Sequence, residues 1–183
     1  MKVKGFTLIE VLAVVLIVGI LASIAVPQYQ KAVVKSRYVK LMPIVKAVKN
    51  AEEEYWYMHR EYTQNFTDLG FSVKGFAGGG NTLMHGREGM QVTISAEEGR
   101  SPMIMGTLTL NGTEVMAYAV YLDHQPERNQ ALAARRFCVC FDGCANSDNS
   151  NHKYFEICSS MTGQSGAASD EEWTNAGVGL RFP

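Results

Sequence analysis

Gly5-Phe6-Thr7-Leu8-Ile9-Glu10, continued by an uncharged run from Val11 to Gln30, is the stretch that decides how this chain is built. Lys2 and Lys4 precede it, Glu10 is the lone charge inside it, and the next charge is Lys31. Large aliphatic residues fill Val11 to Val26, interspersed with Ala13, Gly19, Ala22, Ser23 and Ala25. Phe6 to Val26 is about 20 residues, close to the number that crosses a ~30 Å hydrocarbon layer as a helix. The two lysines favour a cytoplasmic position for the leading end. The small residues permit close helix–helix approach once lipid is gone. Glu10 is the anomaly. An ionised side chain at mid-depth in lipid costs roughly 2.5–3.5 kcal/mol or more, so a carboxylate there calls for a partner.

The helix is expected to continue past the apolar run. Val34, Tyr38, Leu41, Val45, Val48 and Tyr55 recur at steps of three, four and seven, which makes an apolar stripe on an amphipathic helix. Lys31, Lys35, Lys40, Lys46, Lys49 and Glu52 to Glu54 fall mostly elsewhere and read as solvated or subunit-facing charge. Helix from Phe6 to about Met58 would be roughly 80 Å long at ~1.5 Å per residue. Pro27 and Pro43 each remove a backbone donor and crowd the preceding turn, so a bend or local melting is expected at Pro27 and a mild kink at Pro43.

Beyond the helix, Gly70 to Thr82 reads as loop, with Gly75 and Gly78-Gly79-Gly80 inside it. A phosphate cradle would need a lysine–hydroxyl pair and a following helix, and neither is present. Met90 to Ser95, Met103 to Leu110, Val115 to Leu122 and Arg136 to Phe141 are rich in β-branched and aromatic residues and read as strands. Asn111-Gly112 between the second and third is a strong hairpin signal. The expected fold class is α+β: an antiparallel meander of about four strands, with one face laid on the amphipathic half of the helix.

Taken together, the basic leader, Gly5, Phe6, Glu10 and the apolar run at this spacing resemble the amino terminus of a type IV prepilin. The resemblance implies a membrane aspartyl protease, the prepilin peptidase, that cuts between Gly5 and Phe6 and methylates the new amino group of Phe6. It implies that the apolar segment stays on the mature protein, that Glu10 pairs with the methylated amine of a neighbouring subunit, and that the head carries a disulfide-bonded carboxy-terminal loop. Pro27, with Gln28-Tyr29 beside it, falls where such pilins commonly carry a helix-disrupting proline. The domain division is then leader 1–5, filament-core helix 6–30, amphipathic half 31–58 and head 59–183. An ordinary secretory signal cut near Ala22-Ser23-Ile24-Ala25, or a plain membrane anchor, are the bland alternatives. Neither gives Glu10 a purpose.

Cys138, Cys140, Cys144 and Cys158 lie in the last quarter of the chain, which the anchor places outside the cytoplasm, where disulfides persist. Four cysteines allow three connectivities. Cys138 with Cys158 would serve the pinned loop that the resemblance implies, with Cys140–Cys144 as a satellite loop around Asp142-Gly143. Cys140 with Cys158 is the rival pairing, and the extra pair departs from the common single bond. A zinc site using these cysteines and His152, and a calcium site on Asp123, Asp142 and Asp148, are weaker readings.

Net charge of -1 suggests no general nucleic-acid binder, and Arg128, Arg135 and Arg136 are only a hint of a basic stripe. No nucleophile sits in a recognisable elbow or triad, so no enzyme and no cofactor is expected. His59, His85, His124 and His152 are scattered and read as surface or edge residues. The sequons at Asn65 and Asn111 read as coincidence, and Tyr55, Trp56, Tyr57, Tyr62 and Phe66 as packing between helix end and head. The expected function is a structural subunit, most simply the major pilin, of a type IV pilus. Its partners would be copies of itself in a helical polymer, the prepilin peptidase, and an inner-membrane platform with its ATPase. It would start in the inner membrane and end in an extracellular filament. A type II secretion pseudopilin or a minor pilin is the alternative, and a membrane-tethered envelope binding protein a more distant one.

Overall fold

The structure, a computed structural model, describes residues 5–70, 76–78, 83–96, 100–165 and 177–183. The chain divides into two units, Met1–Lys35 and Ser36–Pro183. One helix, α1 (Leu8–His59), begins in the first and ends in the second. Its helical assignment carries through Pro27 and Pro43 without a break, so the local melting expected at Pro27 is not seen. In the first unit every residue from Gly5 to Gln30 is exposed, and α1 there is long and apolar enough to cross a membrane.

The second unit is built on a seven-stranded antiparallel meander in chain order: β1 (Phe76–Gly78), β2 (Leu83–Gly86), β3 (Met90–Ser95), β4 (Met103–Leu110), β5 (Thr113–Tyr121), β6 (Arg136–Cys140) and β7 (Val178–Arg181). The four strands read from sequence are β3 to β6. Phe76–Gly78 is strand where loop was expected, because it pairs with β2; the neighbouring positions 71–75 and 79–82 lie outside the described residues. The turn between β4 and β5 has positive φ at both Asn111 (53°) and Gly112 (82°), the geometry that matches strand twist and that Asn-Gly supplies at little strain. A register shift at Leu108/Thr109 marks a bulge just before it.

Alternation sorts the sheet into two faces. Ile104, Gly106 and Leu108 lie opposite Val120, Tyr118 and Met116, and this face receives α1. The helix buries Tyr38, Leu41, Val45, Val48 and Glu52 against it, a stripe at steps of three and four. Tyr38 also donates its hydroxyl to the Ala117 carbonyl (3.2 Å). On the other face Ala117, Ala119, Tyr121, Phe137, Val139 and Phe141 form a second cluster, with Met103, Met105 and Leu132 against it. A second helix, α2 (His152–Thr162), buries Tyr154, Ile157 and Cys158 and ends at Gly163 in the left-handed region (φ 74°). Glu52 and Glu53 correct the sequence reading: both are buried, not solvated, because the stripe runs on through Glu52 while Tyr55 is only half-buried.

Candidate functional site

The mouth of α1 is closed by a reciprocal cap. The Thr7 amide and hydroxyl both donate to Glu10 Oε2 (3.0 and 2.8 Å), and the Glu10 amide donates to Thr7 Oγ1 (3.3 Å). This is a capping box, which satisfies otherwise orphaned amide donors at a helix start. Its Thr-x-x-Glu signature stands in the sequence at Thr7 to Glu10, so Glu10 has a local partner in addition to any distant one. An acid in the first turn also suits the positive end of the helix dipole. Both Thr7 bonds fall on Oε2, and among the described residues no hydrogen bond to Oε1 is made. Gly5, Phe6 and Glu10 are all exposed, and Phe6 keeps 81% of its surface. An exposed apolar surface as extensive as that of Phe6 to Val26 marks a contact with lipid or protein.

At the far end of the chain the four cysteines form two bonds. Cys138 joins Cys158 with Cα atoms 5.5 Å apart, and Cys140 joins Cys144 at 6.0 Å. Cys138 and Cys140 are two apart on β6 and so share a face. Cys138 reaches α2, and Cys140 reaches the turn that follows its own strand. That turn is organised by its asparagines. The side chains of Asn149 and Asn151 donate to the Asp142 carbonyl (3.0 and 3.4 Å), and Asp142 (φ 55°) and Gly143 (φ 70°) take the left-handed conformation. His152, half-buried, has its Nδ1 3.0 Å from the Cys144 carbonyl. All four cysteines are fully buried.

A third cluster lies where α1 ends; the sequence reading has Trp56 and Tyr62 packing there but not Glu53, Asp123 or His124. Glu53 accepts from the Asp123 amide (2.7 Å) and the Tyr62 hydroxyl (3.1 Å), and lies 3.2 Å from His124 Nδ1. Lys49 donates to Asp123 (2.6 Å), and the His124 ring stacks on Trp56. His124, read from sequence as a surface or edge residue, is one-third exposed and is also packed and bonded here. Burial raises the Tyr62 hydroxyl far above the ordinary phenol range. Glu52, one residue away, takes the Thr63 amide on Oε2 (3.2 Å), while its buried Oε1 has no hydrogen-bond partner among the described residues. Burial pushes its carboxyl up to about 7; the Thr63 amide opposes this, and the nearby Glu53 and Asp68 charges add to it. The signal available in sequence was the placement of Glu52 on the stripe of Tyr38, Leu41, Val45 and Val48.

These features meet a clear set of relatives. Residues 1–26 match the family model described as a prokaryotic N-terminal methylation motif. A fimbrial protein of Pseudomonas aeruginosa is 32% identical over 111 residues, which covers 57% of this chain and 68% of that protein. The chain belongs to the type IV pilin family. A fimbrial protein of Neisseria meningitidis serogroup A is 40% identical over 67 residues, covering 37% of this pilin and 39% of the relative. A type IV major pilin of Neisseria gonorrhoeae is 39% identical over 67 residues, covering 37% of this pilin and 41% of the relative. No solved structure matches the chain. The long helix on an antiparallel sheet with a disulfide-bonded carboxy-terminal region is the type IV pilin α+β fold. Membership makes the chain a pilin subunit, of a family that is structural and not enzymatic.

Proposed function

We propose that this pilin is the major subunit of a type IV pilus, cut by a prepilin peptidase between Gly5 and Phe6, methylated at Phe6, and polymerised through α1. In this reading residues 1–5 are the leader, 6–30 the filament core, 31–58 the amphipathic half and 59–183 the head. The observation that carries it is the fully exposed apolar helix with one carboxylate at its mouth, joined to a folded, cross-linked head. Lipid satisfies that surface before assembly, and neighbouring helices satisfy it afterwards. An inner-membrane platform and its ATPase supply the work of extraction, and the product is an extracellular filament. Glu10 Oε1 receives the methylated amine of the preceding subunit, while Oε2 keeps the cap on Thr7. Stranding one member of a buried charge pair typically costs ~3–5 kcal/mol, which gives Glu10 the power to register each incoming subunit.

The test pairs a mass with a variant. Filaments sheared from the native cell should yield, without reduction, a mass beginning at methylated Phe6 and lacking the four hydrogens of two disulfides. Glu10→Ala should abolish surface filaments while the head stays folded. A processed protein found only in the membrane fraction would point to the pseudopilin alternative, and an uncut leader would sink both.

A further inference from the structure

We propose that Glu52 is a proton-operated latch that fastens the segment leaving α1, residues 60–70, onto the core side of the helix. Glu52 is fully buried, and its hydrogen bond to this segment comes from the Thr63 amide, 3.2 Å from Oε2. Thr63 in turn organises the rest of the segment. Its hydroxyl donates to Asp68 (2.7 Å) and accepts from the Asn65 amide (3.0 Å), and Asn65 Nδ2 donates to Asp68 (3.2 Å). Phe66, 6% exposed, is the segment's apolar anchor. One Glu52 oxygen therefore takes the Thr63 amide of a pre-bonded loop, which Tyr62 also ties to Glu53 and to the His124 amide.

The surroundings decide which charge state the latch prefers. On α1 the titratable neighbours are Lys49, Glu53, Tyr55 and His59. On the following segment they are Glu61, Tyr62 and Asp68, and Asp123 and His124 reach the same end from beyond β5. Lys49 is committed to Asp123 and Glu53, and among the described residues no ion pair includes Glu52. The inner face of the sheet carries the buried apolar side chains of Val92, Ile94 and Ile104. An ionised Glu52 thus has a buried, unpartnered Oε1 and like-charged neighbours, whereas a protonated one carries only the lesser cost of an imperfectly bonded neutral group.

The sign follows from linkage. With its carboxyl raised from 4.5 to about 7 in the closed form, Glu52 keeps a proton there that it loses when opened to water. Below the lower value both forms are protonated and the latch is closed at full strength. Between the two values rising pH favours opening, and above the upper one the weakening is complete. The helix-to-loop seam of the head therefore responds to ambient pH.

Amide exchange of the full chain in detergent micelles tests this, with the Ala117 amide in β5 as internal reference. Relative to Ala117, protection at Thr63 should fall on the order of tenfold or more from about pH 5.5 to about pH 8.5, and this fall should vanish in Glu52→Gln. The same fall in both proteins would overturn the proposal. The wild-type carboxyl carbon of Glu52 gives a reading that needs no variant. A midpoint near neutrality, shared by the Thr63 amide shift, supports the latch, and a midpoint in the ordinary carboxylate range refutes it.

Discussion

Gly106 lies directly under Val45: a Cβ at position 106 would stand 2.5 Å from Val45 Cγ2 and 3.4 Å from Leu41 Cβ. The contact shows why α1 sits so close to β4. The absence of a side chain in the middle of the inner face lets two stripe residues of the helix reach the sheet backbone. Adding atoms to a filled core typically costs ~1–3 kcal/mol. Gly106→Ala should lower the urea stability of the head by about that amount, and Gly106→Val by more. An unchanged midpoint for Gly106→Ala would mean that the helix yields freely there, contrary to the packing described.

Thr7 makes a separate prediction at the other end of the helix. Losing a Ser or Thr cap costs typically ~1 kcal/mol, and here it also releases Glu10 Oε2. Thr7→Ala should fray residues 8–11, visible as lost helical chemical shifts in micelles, and Thr7→Ser should retain them. On the proposed mode of assembly, filament yield should fall for Thr7→Ala and stay near the parental level for Thr7→Ser. Equal helicity in all three proteins would remove the capping box from the account.

Legibility in the sequence followed the range of each interaction. The apolar run, the stripe from Tyr38 to Val48 and the Asn111-Gly112 hairpin are local patterns, and each maps onto an element with bounds close to those read. The elements missed depend on distant partners. Phe76–Gly78 is three residues of strand that exist because β2 lies beside them. α2 is eleven residues flanked by Asn- and Ser-rich turns, with a weak apolar pattern of its own, and it packs where Cys158 meets Cys138. Glu53 and His124 are 71 positions apart, so no spacing announces them. The capping box is as local as the apolar run and the hairpin, legible in the Thr-x-x-Glu spacing of Thr7 and Glu10.

Tyr62 tests that long-range cluster. Its hydroxyl donates to Glu53 and accepts from the His124 amide (3.0 Å), so it joins the segment after α1 to the turn after β5. Leaving a buried polar group short of a partner costs ~1–3 kcal/mol. Tyr62→Phe keeps the ring and removes only this link, so thermal unfolding should show a loss within that range. Glu53→Ala should cost at least as much, since the carboxylate also takes the Asp123 amide. If Tyr62→Phe melts at the parental temperature, the hydroxyl is exchanging its partners for water, and the cluster is not a structural joint.

The two disulfides should differ in what their loss does. In the chain-entropy model a loop of ~20 residues is worth about 3 kcal/mol and one of ~4 about 2 kcal/mol, so the gap in global stability is modest. The difference in place is larger. Cys138–Cys158 ties α2 to β6, whereas Cys140–Cys144 closes a turn that Asn149 and Asn151 already organise through the Asp142 carbonyl. The double replacement Cys138→Ser/Cys158→Ser should therefore increase amide exchange throughout α2. Cys140→Ser/Cys144→Ser should confine the change to residues 141–151. Non-reducing peptide masses of the parental protein fix the reference, because under a Cys140–Cys158 linkage either double replacement would cut the tie to α2 and the difference between the two would vanish.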